Sequence, residues 1–325
     1  MVIKMKNLKV IFMGTPKFAV AALDALIKKY TVIAVVTQPD KRGHRGKLQY
    51  SAVKEKALEH NIKVLQPEKI RKEYEEILSL DADIIITCAY GQIIPKEILD
   101  APKYSCINIH ASLLPKLRGG APIHRSIING ETETGITIMY MNEKMDEGNI
   151  ILQEAIDIKD NDTVGSIHDA LSELGASLIT KAIELIVNNK HESIAQDHSL
   201  ATYAYNLKKE DELVDFNKPV KEVFNQIRGL NPFPGAYAVL NNKIIKFYDV
   251  ELSKEKSEKA AKITKIENGK LFISCLDYDI IIKELKYEGS KKMSVKDFFN
   301  GRDEKDFIGE VFNEELYGKR KEKNR

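Results

Sequence analysis

Two polar side chains stand on an otherwise apolar run, Cys106-Ile-Asn-Ile-His110. Strand side chains alternate between faces, so Asn108 and His110 share one. The run comes after others of the same kind, which puts its end at the carboxyl edge of a parallel sheet, where open α/β folds bind ligands. Burying two such groups without partners costs about 1–3 kcal/mol each, so they are there either to hold the next loop or to react. The next residues form a tight irregular loop before a helix, Ala111-Ser-Leu-Leu-Pro115 and then Arg118-Gly-Gly-Ala-Pro122. That loop favours the second alternative. A third candidate, Asp146, lies in the turn Met145-Asp-Glu-Gly148, where an acidic residue alone is ordinary turn chemistry. Together an amide, an imidazole and a carboxylate offer donors for a developing oxyanion and a relay for protons.

The elements that must position them are legible as a rhythm. Leu8–Met13, Ala19–Lys28, Val32–Val36, Ala52–His60, Val64 and Glu68–Leu78 alternate short β-rich runs with amphipathic segments, which predicts repeated βα units and a parallel sheet. Asp83–Cys88 and Ser105–His110 add two strands apolar enough to be covered on both faces. Gly135–Met141 and Ile150–Ile158 alternate more and are expected to pair as an antiparallel flap. From Val164 to Val187, apolar residues at Ile167, Leu171, Leu174, Leu178, Ile179, Ile183 and Ile186 predict a long helix. Polar Asn188–Ser199 leads through Thr202–Asp215 to turn-rich Arg228–Gly235, a crossing point between domains. Beyond it, Ala236–Leu240, Lys243–Val250, Ala261–Ile266, Lys270–Cys275 and Tyr278–Leu285 suggest five short strands, with a helix near Ser294–Asn300.

The expected fold class is α/β, an open, mostly parallel Rossmann-like sheet followed by a small OB-like β-barrel. The 325 residues suit two domains. The expected boundaries are 1–189 for a catalytic domain, 190–207 for a linker, 208–318 for the barrel and 319–325 for a tail.

Composition narrows the class. Charged residues make up 30% of the chain and nearly balance at a net charge of +2, so neither disorder nor a global pull on polyanions is expected. Cys88, Cys106 and Cys275 are odd in number and lack CxxC spacing, which suggests reduced core residues. No window approaches the roughly 20 apolar residues of a membrane span, so a cytoplasmic protein without membrane contact is expected. Seven histidines are scattered without HExxH or a similar cluster, so no metal is expected. Met13-Gly-Thr-Pro-Lys-Phe18 lacks both G-x-G-x-x-G and the Walker pattern, which disfavours a nucleotide cofactor; Gly14 suits a sharp turn and Thr15 a cap for a helix near Pro16. Lys41-Arg-Gly-His-Arg-Gly-Lys47 places Lys41, Arg42, Arg45 and Lys47 on one loop after a strand, where they can contact phosphates or unpaired bases.

Asn108-Ile-His-Ala-Ser-Leu-Leu-Pro115, with Gly120-Ala-Pro-Ile123 and Asp146-Glu-Gly148 beyond it, resembles the active-site run of the 10-formyltetrahydrofolate-dependent formyltransferases. Val10-Ile-Phe-Met-Gly-Thr-Pro-Lys-Phe18, Thr37-Gln-Pro-Asp40, Ala89-Tyr-Gly-Gln92 and Arg228-Gly-Leu-Asn-Pro-Phe-Pro-Gly235 are similar to the branch that acts on methionyl-tRNA, so the resemblance spans nearly the whole chain. It implies Asn108, His110 and Asp146 as catalytic residues. It also implies a 10-formyltetrahydrofolate donor held by Tyr90, Gly91, Gln92, Ile93 and Ile94 together with Ser112, Leu113, Leu114 and Pro115. The implied acceptor is initiator methionyl-tRNA, met by the basic loop, with Arg42 the first choice for the key contact; the loop departs from the family pattern in being slightly shorter and lacking a proline. A monomer is expected. Leu117 stands where related sequences often carry an aromatic, a change of packing and not of reaction type. An amino-sugar nucleotide as acceptor is the alternative, and a non-catalytic RNA-binding protein is a rival from another class that has no need of the trio.

Overall fold

Val10, Ile11, Phe12 and Met13 are buried on both faces of strand β1 (Lys9–Gly14), as a central strand of a parallel sheet requires. The computed structural model describes residues 5–42 and 48–312. In its first half, β1 is followed by α1 (Val20–Lys29), β2 (Thr31–Val36), a two-stranded ribbon of β3 (Lys41–Arg42) and β4 (Leu48–Gln49), α2 (Ala52–Glu59), β5 (Lys63–Leu65), α3 (Glu75–Ser79), β6 (Ile84–Cys88), α4 (Lys96–Leu99) and β7 (Cys106–His110). Then come α5 (Pro122–Ile128), β8 (Glu133–Tyr140), β9 (Ile150–Asp157) and the long helix α6 (Val164–Val187). The main sheet runs β5-β2-β1-β6-β7-β8-β9. Its first five strands are parallel, and β8 and β9 continue it antiparallel, so the expected flap is part of the sheet itself.

The face opposite Asn108 and His110 on β7 carries Ile107 and Ile109, and Ile109 lies under α6. A Cβ on Gly175 would come within 3.0 Å of Ile109 Cγ2, so the missing side chain lets this helix close on the strand. Helix packing therefore fixes the register of the strand whose other face is polar.

After α6 the chain does not behave as a free connection. Ile194 bridges Ile150, and Tyr203 bridges Arg118, with Arg118 N–H donating to Thr202 O (2.9 Å) and Ala204 N–H to Arg118 O (2.7 Å). One compact unit accordingly gathers the chain to Pro122 with Glu133–Asp157 and His168–Tyr205. The other gathers Ile123–Thr132, Ile158–Ile167 and the chain from Asn206 on. Most of the expected 190–207 linker thus groups with the first unit.

The second unit holds α7 (Val220–Gly229), then β10 (Tyr237–Leu240), β11 (Lys243–Phe247), β12 (Val250–Lys256), β13 (Ile263–Glu267), β14 (Lys270–Ser274), β15 (Tyr278–Ile282), β16 (Glu284–Tyr287), β17 (Met293–Ser294) and α8 (Val295–Phe299). Two antiparallel sheets, β10-β11-β16-β17 and β12-β15-β14-β13, share one core that includes Phe216, Phe247, Ile273, Leu285 and Phe298. The single runs Lys243–Val250 and Tyr278–Leu285 each bend and change sheet, at Tyr248–Asp249 and at Lys283. Lys283 N–H donates to Asp249 O (2.8 Å) at the shared corner.

Two local expectations fail. Glu68–Leu78 yields only the five-residue α3; the residues before it form a non-helical turn in which the Glu73 carboxylate accepts from the N–H groups of Glu68 and Lys69 and Gln92 Oε1 from that of Ile70. Thr15 caps nothing; its hydroxyl donates to Tyr90 O (3.0 Å), and the short helical turn Lys17–Ala19 begins at Pro16 without a side-chain cap. The expected tail 319–325 lies outside the described residues.

All three cysteines are free and buried. Burial pushes the Cys88 thiol from its ordinary 9.0 up to about 12, and Cys106 and Cys275 are raised as well. A thiol reagent at neutral pH should therefore find essentially no reactive group until the protein is denatured, when all three react. Because the folded pKa lies above the unfolded one, the unfolded chain releases these protons first. The contribution to stability is full below pH 9.0 and is lost as the pH rises toward 12, which alkaline denaturation curves measure.

Candidate active site

Asn108 and His110 end β7 with their side chains on the same face, and the chain then turns sharply through the Leu114–Pro115 cis peptide. Thr87, the register partner of Asn108 on β6, donates its hydroxyl to Asn108 Oδ1 (2.7 Å). That bond tells the two ends of the amide apart. The Nδ2 group keeps its two donors without a protein partner among the described residues.

His110 is buried, and its Nε2 lies 3.0 Å from Leu117 O. A carbonyl only accepts, so Nε2 carries the hydrogen of this bond and Nδ1 is the nitrogen left for another partner. Nδ1 faces Asp146 Oδ1 at 3.7 Å. The structure thus brings the sequence-predicted trio together. Leu117 reaches its carbonyl position at φ 59°, in the left-handed region that a branched side chain seldom adopts.

Asp146 also sits left-handed, at φ 54°. Its Oδ2 accepts the Gly119 N–H (2.8 Å), a charge-assisted bond, and its carbonyl accepts from Gln196 Nε2 (2.8 Å). Gly119 has φ 117°, and any Cβ there would meet Ala204 O at 2.8 Å. Gly148 is stricter, since its Cβ would meet Tyr140 O at 1.7 Å. Gly119 thus lets the Ala204 backbone approach beside its own bond to Asp146, and Gly148 lets the Asp146 turn close on Tyr140 at the end of β8.

Behind these lies an arginine 1% exposed, Arg118, whose guanidinium meets Gln196 Oε1 (2.7 and 3.2 Å), His198 Nδ1 (3.0 Å) and the Glu147 carboxylate (3.3 Å). Thr87, Arg118 as a buried charge, and Gln196 carry no sequence signal. Each acts on a partner 21 to 78 positions away. Only the oddity of an arginine in a glycine-rich loop hints at Arg118.

The two loops expected to hold a flat heterocycle leave the carboxyl ends of neighbouring strands β6 and β7. Most of their side chains are already engaged. Gln92 accepts from Ile70 N–H and donates to Pro67 O, Ser112 donates to Lys116 O (2.7 Å), and Ile94 and Leu114 are buried. Thr137 donates to Ser112 O and accepts from Leu114 N–H, while Gln153 donates to Leu114 O. Buried Tyr90 offers its carbonyl to Thr15 and Gln38, and its hydroxyl has no partner among the described residues. Gly91 turns at φ 90° and Ile93 is 63% exposed. The parts left open to a ligand are backbone plus the apolar faces of Ile93 and half-buried Leu113.

In the basic loop, Lys41 and Arg42 are exposed on β3, paired with Gln49 and Leu48; Arg45 and Lys47 lie outside the described residues. The loop's base is firm. Asp40 accepts from Lys54 Nζ (2.6 Å) and Gln66 Nε2 (2.8 Å), and these hydrogen bonds, that of Lys54 first, hold its carboxyl below the usual range. Among the described residues no group of three metal-ligating side chains is gathered, and no helix is long and apolar enough to cross a membrane.

Residues 6–183 match the family described as Formyl transferase, and residues 206–303 match its C-terminal domain. The chain belongs to the formyl transferase family. This formyltransferase is 47% identical over 307 residues to a methionyl-tRNA formyltransferase of Staphylococcus epidermidis, covering 93% of this chain and 99% of the relative. It is 46% identical over 298 residues to the one of Staphylococcus aureus, covering 90% and 96%. Among solved structures it is similar to WlaRD, a sugar 3N-formyl transferase crystallised in the presence of dTDP and 5-N-formyl-THF. There the TM-score is 0.65 at 25% identity, with 87% of this chain and 99% of that one covered. HypX of Aquifex aeolicus in complex with tetrahydrofolic acid shares the fold at a TM-score of 0.62 and 16% identity, covering 90% of this chain and 47% of that one.

Replacing Thr87 by Val should leave the formyltransferase folded but release the Asn108 amide. Formyl transfer is expected to fall about tenfold in kcat, with the melting temperature measured alongside to show the sheet intact.

Proposed function

We propose that this formyltransferase moves the formyl group of 10-formyltetrahydrofolate onto the free amine of initiator methionyl-tRNA, giving the N-formylated product. The observation that carries the chemistry is the convergence of Asn108, His110 and Asp146 at the carboxyl rim of the sheet. The acceptor rests on the curated relatives, matched over nearly their whole length.

The donor supplies the formyl carbon and a folate nitrogen as leaving group. Residues 90–94 and 112–115 are assigned to hold it. Backbone groups of residues 91–93 suit the polar edge of the heterocycle, and Ile93 and Leu113 suit its faces. As the amine attacks, negative charge grows on the formyl oxygen, and Asn108 Nδ2, its carbonyl end tied back by Thr87, is a donor already oriented. The amine loses one proton as the new C–N bond forms, and the folate nitrogen gains one as the old bond breaks. His110 Nδ1 can hold that proton in transit, and the Asp146 carboxylate beside it stabilises the imidazolium. Lys41 and Arg42, with Arg45 and Lys47, are assigned to the RNA end, where a flat guanidinium can stack on an unpaired base. Catalysis is assigned to the first unit and backbone contact with the RNA to the second.

A second acceptor, an amino-sugar nucleotide, is favoured by one observation, the likeness to a sugar formyltransferase over 99% of its length. Identity there is 25% against 47% for the methionyl-tRNA enzyme, which supports the first. The test is to supply 10-formyltetrahydrofolate with methionyl-tRNA or with a dTDP-linked amino sugar and follow formyl transfer. Formylation of the aminoacyl-RNA is expected, and modification of the sugar alone would reverse the assignment. In the same assay Asn108→Ala should lower kcat by about 10²–10³ with little change in KM for either substrate. Near-normal turnover would remove Asn108 from the mechanism.

A further inference from the structure

The segment after α6 resembles a plain connection, yet Gln196 is only 6% exposed and its amide is saturated. Nε2 donates to Asp146 O (2.8 Å) and Gly148 O (2.7 Å), and Oε1 accepts from Arg118 Nη2 (2.7 Å) and Nε (3.2 Å). One side chain therefore grips the carbonyls on both sides of Glu147, while the Glu147 carboxylate lies 3.3 Å from the same arginine.

The chemistry selects this residue type. Two carbonyls call for two N–H donors, and a guanidinium calls for an acceptor, so a carboxylate or an ammonium would each fail one half. Arg118 in turn is held by backbone pairing with Thr202 and Ala204, a few residues beyond Gln196. The same short stretch thus fixes both the arginine and the turn that the amide spans.

That turn contains Asp146, whose backbone is left-handed and whose carboxylate must meet both the Gly119 N–H and the His110 ring. Aspartate tolerates a left-handed backbone in a turn better than most residues, but the direction of its carboxylate still has to be fixed by neighbours. The Gln196 bonds to residues 146 and 148 do so from outside the reacting group. The hydrogen bonds of Gln196 go to Arg118 and to the carbonyls of residues 146 and 148, and to none of the trio's side chains.

We infer that Gln196 is a positioning residue for formyl transfer: by clamping the backbone of the Asp146 turn it sets the carboxylate against His110. This rests on the chemistry proposed above, and it predicts an effect on rate and not on substrate affinity. A residue of merely structural importance would weaken the protein and all its functions together.

The experiment is a double-mutant cycle on the full chain, read by single-turnover formylation of methionyl-tRNA. Gln196→Ala removes both halves of the clamp. Gln196→Glu keeps the acceptors for Arg118 but loses both donors. Each is expected to lower the rate about tenfold or more with KM for the donor held within about twofold. In an Asp146→Asn background, either change should cost less than about threefold further, because the group it positions is already gone. Equal losses in both backgrounds, an effect confined to KM, or failure of both variants to fold would each overturn the inference. A wild-type chain that formylates no methionyl-tRNA defeats the acceptor assignment instead, and the cycle then runs on whichever amine is accepted.

Discussion

The bond from the His110 ring to the Leu117 carbonyl decides what the rest of the site can do. It consumes Nε2 as a donor and aims Nδ1 at Asp146. A histidine free to rotate would offer either nitrogen to either neighbour, and no carboxylate could be matched to it. The cost is carried by Leu117, which takes a left-handed backbone to present its carbonyl. Such strain is tolerable because β7 is locked between β6 and β8 and under α6, so the loop cannot relax by moving its root.

Three of the eleven non-glycine residues at positive φ among the described residues stand at the same rim. Ala89, Leu117 and Asp146 are all non-glycine residues at positive φ, and each stands beside a group assigned to donor binding or to chemistry. Arg118 shows the complementary arrangement. A buried guanidinium is expensive alone, and here a carboxylate, an amide and a ring nitrogen satisfy it together, so it holds one geometry of the loops around it. The loops around the trio are thus held by polar groups outside it.

Sequence made the strands visible and the supports invisible. Asn108 and His110 follow from period-two alternation on an apolar run, and the Val164–Val187 helix follows from its spacing, because both patterns are local. Asp146 is an ordinary turn aspartate until a family resemblance lifts it out. Thr87, Arg118 and Gln196 had no such aid, for their meaning lies in partners that only the folded chain supplies. Local rules also misled. Thr15 suited a helix cap and instead bonds Tyr90 O, and Glu68–Leu78 is amphipathic yet begins as a turn tied to Glu73 and Gln92 and turns helical only at Glu75. The two long β-runs of the second unit hid their corners, since a bend at Asp249 or Lys283 leaves hydrophobic alternation intact.

Neither unit is a continuous stretch of chain, because each borrows from the other's half. Ile123–Thr132 and Ile158–Ile167 leave the ribosome well before the strands they join, and must wait for partners that begin at Asn206. The first unit has its own delay, since the stretch that braces Asp146 is among its last residues to be made. During synthesis the sheet can assemble while its reacting centre is still slack, and competence arrives only after about two-thirds of the polypeptide has emerged. A gene fusion or exchange that cut the chain at the end of α6 would therefore divide the very part that completes the site.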